Sequence, residues 1–364
     1  MIEAAIESVL DQDYPNLEHI VVDGGSTDGT VDILKKYPHL RVVSEPDQGV
    51  YDAINKGLRL ARGEIIGHLN TDDFYEPGVF GEVARCFAED AEIDMVYGGA
   101  TVFREYEAGE RRILHAYLSS LQTEPTLSNI TLGAPIINAR FFRRSFYDRI
   151  GPYRTTYRIA ADREFLLRAV LAGVRSARIN RVVYHYRQHD SALTLDQGSR
   201  FRNVWAVEHM AMAERHLRGV SLPSSARETI IFWHSREAAV AALLAIRRGR
   251  FVTAARYMWR GWRFDARYPL HLMGRSRARY VLKKLVTDPR WVWRKIDQRV
   301  INRFVVLFLL KKLVTDPRWV WRKINQRVIN RFVVLFLLKK LVTDPRWVWR
   351  KTLVRLGVRS RDAD

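Results

Sequence analysis

Apolar positions in the first half of the chain follow two alternating periods. Ile2, Ala5, Ile6, Val9 and Leu10 recur at helical spacing. The turn Asp13-Tyr14-Pro15-Asn16 follows, then His19-Ile20-Val21-Val22, which reads as a buried strand ended by Asp23-Gly24-Gly25. Thr27 or Asp28 is placed to cap a helix running through Leu34. Leu40-Arg41-Val42-Val43 predicts the next strand. After Gly49, the residues Val50, Ile54, Leu58 and Ala61 mark one apolar helix face. Arg62-Gly63 turns the chain into a strand over Ile65–Leu69 that ends at Asn70, and Ile93–Tyr97 is a further strand. Strands alternating with helices predict an α/β domain whose mostly parallel sheet is flanked by helices. From Phe201 to about Tyr280 the pattern is helical, with two helices either side of Arg248-Gly249-Arg250.

The length, 364 residues, suits one large domain or two ordinary ones, and 47% hydrophobic residues suffices for a globular core. One cysteine, Cys86, excludes an internal disulfide and a multi-cysteine zinc site. The N-terminus lacks a charged stretch followed by an apolar one, so no signal peptide is expected. No run of about 18 apolar residues predicts a membrane span. Charge is divided unevenly. Residues 1–200 carry 23 Lys+Arg and 29 Asp+Glu, whereas residues 201–364 carry 37 and 11. The basic half is therefore expected to meet an anionic surface.

Two acidic strand ends carry the candidate chemistry. They are Val22-Asp23-Gly24-Gly25-Ser26-Thr27-Asp28-Gly29-Thr30 and Leu69-Asn70-Thr71-Asp72-Asp73. In open α/β sheets ligands bind beyond the carboxyl ends of strands. With IESVLDQDYP near the start, EPDQGVYDAINKG and RGEIIGHLNTDD, these segments resemble the family 2 glycosyltransferases of GT-A fold over roughly the first 190 residues. The resemblance implies an inverting, metal-dependent transfer of a sugar from a nucleotide-sugar donor to a glycan or lipid-linked acceptor in polysaccharide or cell-envelope assembly. By the same resemblance Asp23 and Gly25 belong to the nucleoside site, and Asp52, Asn55 and Asn70 line the donor pocket. Asp72 then holds Mg²⁺ or Mn²⁺, with Asp73 assisting. Asp162, in Tyr157-Arg158-Ile159-Ala160-Ala161-Asp162-Arg163-Glu164, matches the general base, and Glu164 is the alternate. A turn or helix-cap role is the competing reading for Asp23, and an N-terminal helix carboxylate for Asp162.

The chain departs from the family pattern in places. Gly24 stands where relatives carry a second aspartate, Asn70 replaces the first carboxylate of the metal motif, and Asn138 stands where many have histidine. Family members begin with an apolar strand ahead of the first helix. Here the chain starts within that helix, so the expectation is a start upstream of Met1 and two strands left without their neighbour. The segment Tyr184-His185-Tyr186-Arg187-Gln188-His189-Asp190 is a candidate lid or acceptor wall, in which His185 and His189 read as loop histidines rather than a zinc pair. The competing function is a catalytically inactive paralogue acting as a basic peripheral-membrane adaptor.

Beyond the catalytic domain (1–198) and a helical region (199–282), residues 283–310 recur as 311–338 with the single change Asp297 to Asn325. Residues 339–351 begin a third copy, and 352–364 form a tail. Each copy joins Trp291- and Trp293-type positions to a basic stripe, which suits a helix lying in a membrane interface. An anionic membrane surface is therefore the expected partner of residues 283–351. Nucleic acid is the weaker alternative, because no nucleic-acid motif accompanies the charge. The expected location is the cytoplasm, peripheral on the membrane.

Overall fold

The computed structural model describes residues 1–106, 110–189, 201–219 and 221–265, all within one compact unit. The repeats over 283–351 and the tail lie outside the described residues.

Helix α1 (Ile2–Leu10) leads to strand β1 (His19–Asp23), helix α2 (Thr30–Leu34) and strand β2 (Leu40–Ser44). The N-cap of α2 is Gly29 rather than Thr27 or Asp28, and Asp28 Oδ1, one residue ahead, accepts from the Thr30 N–H and hydroxyl. Helix α3 (Val50–Leu60), strands β3 (Ile65–Ile66) and β4 (Phe74–Tyr75) and helix α4 (Val79–Glu89) follow. Next come β5 (Met95–Glu105), β6 (Arg111–Tyr117), α5 (Ser120–Thr123), α6 (Leu127–Leu132), β7 (Arg140–Arg143) and α7 (Arg144–Ile150). The last elements are α8 (Ala161–Leu171), β8 (Ser176–Arg187), α9 (Arg202–Gly219), α10 (Ser224–Arg247) and α11 (Phe251–Phe264).

The fold is α/β, but the sheet is mixed rather than mostly parallel. β1–β2 and β5–β8 pair in parallel, whereas β3–β7, β5–β7, β4–β8 and β5–β6 are antiparallel. The main sheet has the order β3-β7-β5-β8-β4, with β6 on β5, and β1–β2 stands as a separate pair. Among the described residues β1 pairs with no strand but β2, and β3 with none but β7. Between the two sheets lies a cleft of about 1220 Å³. Its inner part is apolar, lined by Val9, Ile20, Ile54, Leu58 and Ile65.

Strand alternation divides the core between the two sheet faces. Met95 and Phe142 join Phe146, Phe165 and Leu166 on one face. Val96 and Phe141 join Val83, Ile179 and Val183 on the other. Gly98 is required where β5 meets β8, because a Cβ there would lie 2.3 Å from Val183 Cγ1. The first face continues into the C-terminal helices. Met212 and Ala213 of α9 and Ile230 and Trp233 of α10 are fully buried in the same cluster as Phe165. By length and composition α10 suffices to cross a membrane, yet over half of its apolar window is buried inside the fold, as in a core helix.

Candidate active site

Of the predicted site residues, Asp23, Asp72, Asp73 and Asp162 are placed at a strand end, in the turn after a strand or at a helix start, and Asp52, Asn55 and Glu164 within helices. Asp23 ends β1 and is 7% exposed. Its Oδ2 accepts from the Gly25 N–H (3.1 Å), the Ser26 N–H (3.0 Å) and the Ser44 hydroxyl (2.6 Å). Burial raises this carboxyl, but the bonds from Ser26, Ser44 and Gly25 outweigh it and hold the acid below its ordinary range. Gly25 turns back at φ +86°, a region open to glycine. Glycine at 24 leaves room for Asp47, whose Oδ2 would lie 2.6 Å from a Cβ there. A carboxylate thus stands against Gly24 in space although the sequence has none at that position.

The two residues of α3 face away from the cleft. Asp52 Oδ2 accepts from the Gln48 N–H at 3.1 Å, before the helix start. Asn55 pairs both ends of its amide with the Tyr153 main chain, donating to the carbonyl (2.8 Å) and accepting from the N–H (3.0 Å). It pins α3 to the segment ahead of α8. Neither lines the cleft, whereas their neighbours Tyr51 and Ile54 do.

After β3, Asp73 turns inward and is 1% exposed. Its Oδ2 accepts from Tyr184 Oη (2.6 Å) and Asn70 Nδ2 (2.8 Å), and its Oδ1 from the Arg187 N–H (2.7 Å). Burial, followed by the neighbouring Asp72 charge, pushes it up to about 7. With both oxygens engaged, Asp73 acts as an internal tie rather than a metal ligand, whereas Asn70, which gives its Nδ2 to Asp73, still lines the cleft. Asp72 stays at the cleft, where its Oδ2 meets His189 Nε2 at 2.7 Å. Antiparallel pairing of β4 with β8 brings them together: Tyr75 opposes Tyr184, and the chain runs past Arg187 to His189. Arg187 Nε donates to the Asp72 carbonyl at 2.9 Å and fixes the turn. His189 is the functional candidate that spacing did not reveal. His185, four residues earlier, instead bonds Thr101 and Glu76 on the sheet.

Asp162 opens α8 and lines the same cleft. Its Oδ1 accepts from the Arg163 N–H (2.7 Å) and lies 3.1 Å from the Tyr51 hydroxyl, which also donates to the Ile159 carbonyl (2.7 Å). Burial raises the Asp162 carboxyl, opposed by the Arg163 N–H and charge and by Tyr51. The loop ahead of it is held from α9. Glu208 accepts from the N–H groups of Arg158 (2.7 Å), Ile159 (3.1 Å) and Ala160 (3.0 Å). The C-terminal helices therefore belong to the site's support.

Glu164 does not face the cleft. It is fully buried and paired with Arg154 and with Arg168 Nε at 2.9 Å, so the alternate-base role gives way to an ion-pair role. Its position two residues past Asp162, about 200° around α8, points it into the core. Glu164→Gln is expected to cost about 2–4 kcal/mol of stability, since it strips charge from a buried cluster. Turnover per folded molecule should stay within about twofold; denaturant melts and rates on the soluble protein check both.

Asp72, His189 and Asp162 thus share one cavity, together with Arg158 and Arg163, the arginines lining it among the described residues. Asp72 and His189 meet at hydrogen-bond distance in this cavity, and among the described residues no group of three or more His, Cys, Asp or Glu side chains stands together to hold a metal ion.

The model for glycosyl transferase family 2 matches residues 1–151. A protein named PGL/p-HBAD biosynthesis glycosyltransferase from Mycobacterium bovis is 33% identical over 178 residues, 46% of this chain and 64% of the relative. The chain thus spans under two thirds of that relative's length. Chondroitin synthase of Escherichia coli is 38% identical over 96 residues, 25% of this chain and 14% of that protein. Among solved structures, S. aureus TarS 1-349 in complex with UDP-GlcNAc aligns with a TM-score of 0.54 at 18% identity, covering 76% of this chain and 84% of that one. A likeness at that identity shows the fold, which is GT-A.

Proposed function

Residues 1–151 belong to glycosyl transferase family 2, and on that premise we propose that the chain transfers a sugar from a nucleotide-diphosphate donor to an acceptor hydroxyl with inversion at the anomeric carbon. The observation that carries this reading is the meeting of Asp72–His189 and Asp162 in one cleft. In this reading the donor's nucleoside sits by Asp23 and its diphosphate reaches the Asp72–His189 end of the cleft. Asp72 and His189 would hold Mg²⁺ or Mn²⁺, which when bound supplies Lewis-acid stabilisation of the leaving diphosphate. Asp162 takes the proton of the acceptor hydroxyl as its oxygen attacks the anomeric carbon. The bond to the diphosphate breaks, and the leaving oxygen keeps the electron pair. One displacement inverts the centre.

A glycan or lipid-linked acceptor of the cell envelope is the finer part of the proposal, supported by relatives named for PGL/p-HBAD biosynthesis. UDP-GlcNAc, bound by TarS, is the first donor to try. Asn70 favours the other reading, an inactive paralogue, because its amide is spent on Asp73 and gives the motif one carboxylate fewer. A panel of nucleotide sugars separates the two. The full chain should release nucleoside diphosphate with Mn²⁺, and chelation should lower the rate by about tenfold or more. No release from any donor would favour the inactive paralogue, and release indifferent to chelation would remove the metal.

A further inference from the structure

Apart from the cleft, one surface among the described residues calls for a partner by its composition. Helices α10 and α11 form a hairpin that turns on Arg248-Gly249-Arg250, with Gly249 at φ +69°. One side of α11 packs inward through Ala254 and Gly261. The outer side presents Val252, Ala255, Arg256, Trp259 and Arg263, which helical spacing sets in one stripe and which are all exposed. Val252 is 70% and Trp259 58% exposed, with Met258 beside them and Leu243 of α10 also exposed.

Charge around the hairpin's turn and along α11 has a single sign. No Asp or Glu occurs between Glu237 and Asp265, while Arg247, Arg248, Arg250, Arg256, Arg260 and Arg263 do. Arg260 pairs with Glu214 at 2.8 Å. The other five make no ion pair among the described residues. An exposed tryptophan and valine among unpaired arginines is costly in water unless something covers them. The single sign of the charge around exposed Val252 and Trp259 points to a partner that is anionic at its surface and apolar beneath it. Tryptophan at headgroup depth with arginines reaching phosphates is the make-up of a helix lying in an anionic membrane interface.

We propose that the outer face of α11 docks on an anionic phospholipid bilayer, with Val252 and Trp259 entering the interface and Arg248, Arg250, Arg256 and Arg263 meeting lipid phosphates. The docking is independent of the sugar-transfer reaction and of any contribution from residues 283–351.

The test uses the full chain with its one cysteine removed (Cys86→Ser) and a new one at the hairpin (Val252→Cys) carrying a polarity-sensitive dye. On phosphatidylglycerol vesicles the dye emission should shift to the blue, and on phosphatidylcholine vesicles it should not. Arg256→Glu with Arg263→Glu should weaken vesicle affinity by about tenfold or more, and added salt should do the same. Trp259→Ser should weaken it with the arginines intact. If the protein sediments with vesicles while the dye stays in a water-like environment, α11 is not the docking face. Equal shifts on neutral vesicles, or a shift with double-stranded RNA in place of vesicles, would also overturn the proposal.

Discussion

Asp162→Asn is expected to slow sugar transfer by about 10²–10⁴-fold. The amide keeps the shape of the carboxylate. Its oxygen still accepts from the Arg163 N–H and stays beside Tyr51, so the start of α8 is unchanged. What it loses is the ability to take a proton from the acceptor. Donor affinity should stay within about twofold, since Asp162 acts on the other substrate. The pH profile adds a second readout. Burial raises the Asp162 carboxyl above the usual carboxylate range. The base is active only when ionised, so the rate should climb as pH rises through that elevated value and level off above it. The asparagine variant should lose that limb.

Asp72→Ala should act on binding instead. Asp72 is the carboxylate left at the cleft once Asp73 has turned inward, and it is the partner of His189. Removing it takes away the main anchor for a cation on the diphosphate, worth about 2–4 kcal/mol, or on the order of 10²-fold in donor affinity with Mn²⁺ present. His189→Gln should cost less, about tenfold, because the carboxylate remains. Without metal the two variants and the parent should bind donor equally weakly.

Elements fixed by neighbours in sequence were legible from the start. His19–Val22 and Leu40–Val43 became β1 and β2, and the apolar stripe from Val50 to Leu58 became α3, because strand and helix periods are local. The strand read as Ile93–Tyr97 runs on to Glu105. Gly98 and Gly99 interrupt its apolar pattern, yet the missing Cβ at 98 is what lets Val183 of β8 approach. Its antiparallel neighbour β7 hides in a four-residue segment with no hairpin turn to announce it.

Position was legible where a strand or helix end sets it, as for Asp23 at the end of β1, Asp72 in the turn after β3 and Asp162 in the first turn of α8. Role was not legible where it is set by a partner far along the chain. Asn55 meets Tyr153 at a separation of 98 residues, Asp73 meets Tyr184 at 111 and Asp72 meets His189 at 117. Composition marks such side chains as polar and says nothing of which bond will claim them. That is why Asn55, Asp73 and Glu164 read as site residues but serve the core, and why His189 read as a loop residue but stands at the cleft.

The central claim is that one cleft joins a cation-dependent diphosphate site at Asp72 to a base at Asp162. Calorimetric titration of a nucleotide sugar into the full chain, with and without Mn²⁺, tests it most directly when run beside Asp72→Ala and Asp162→Asn. The account predicts Mn²⁺-dependent binding that Asp72→Ala loses by about 10²-fold and Asp162→Asn keeps. Undiminished Mn²⁺-dependent binding by Asp72→Ala would contradict it.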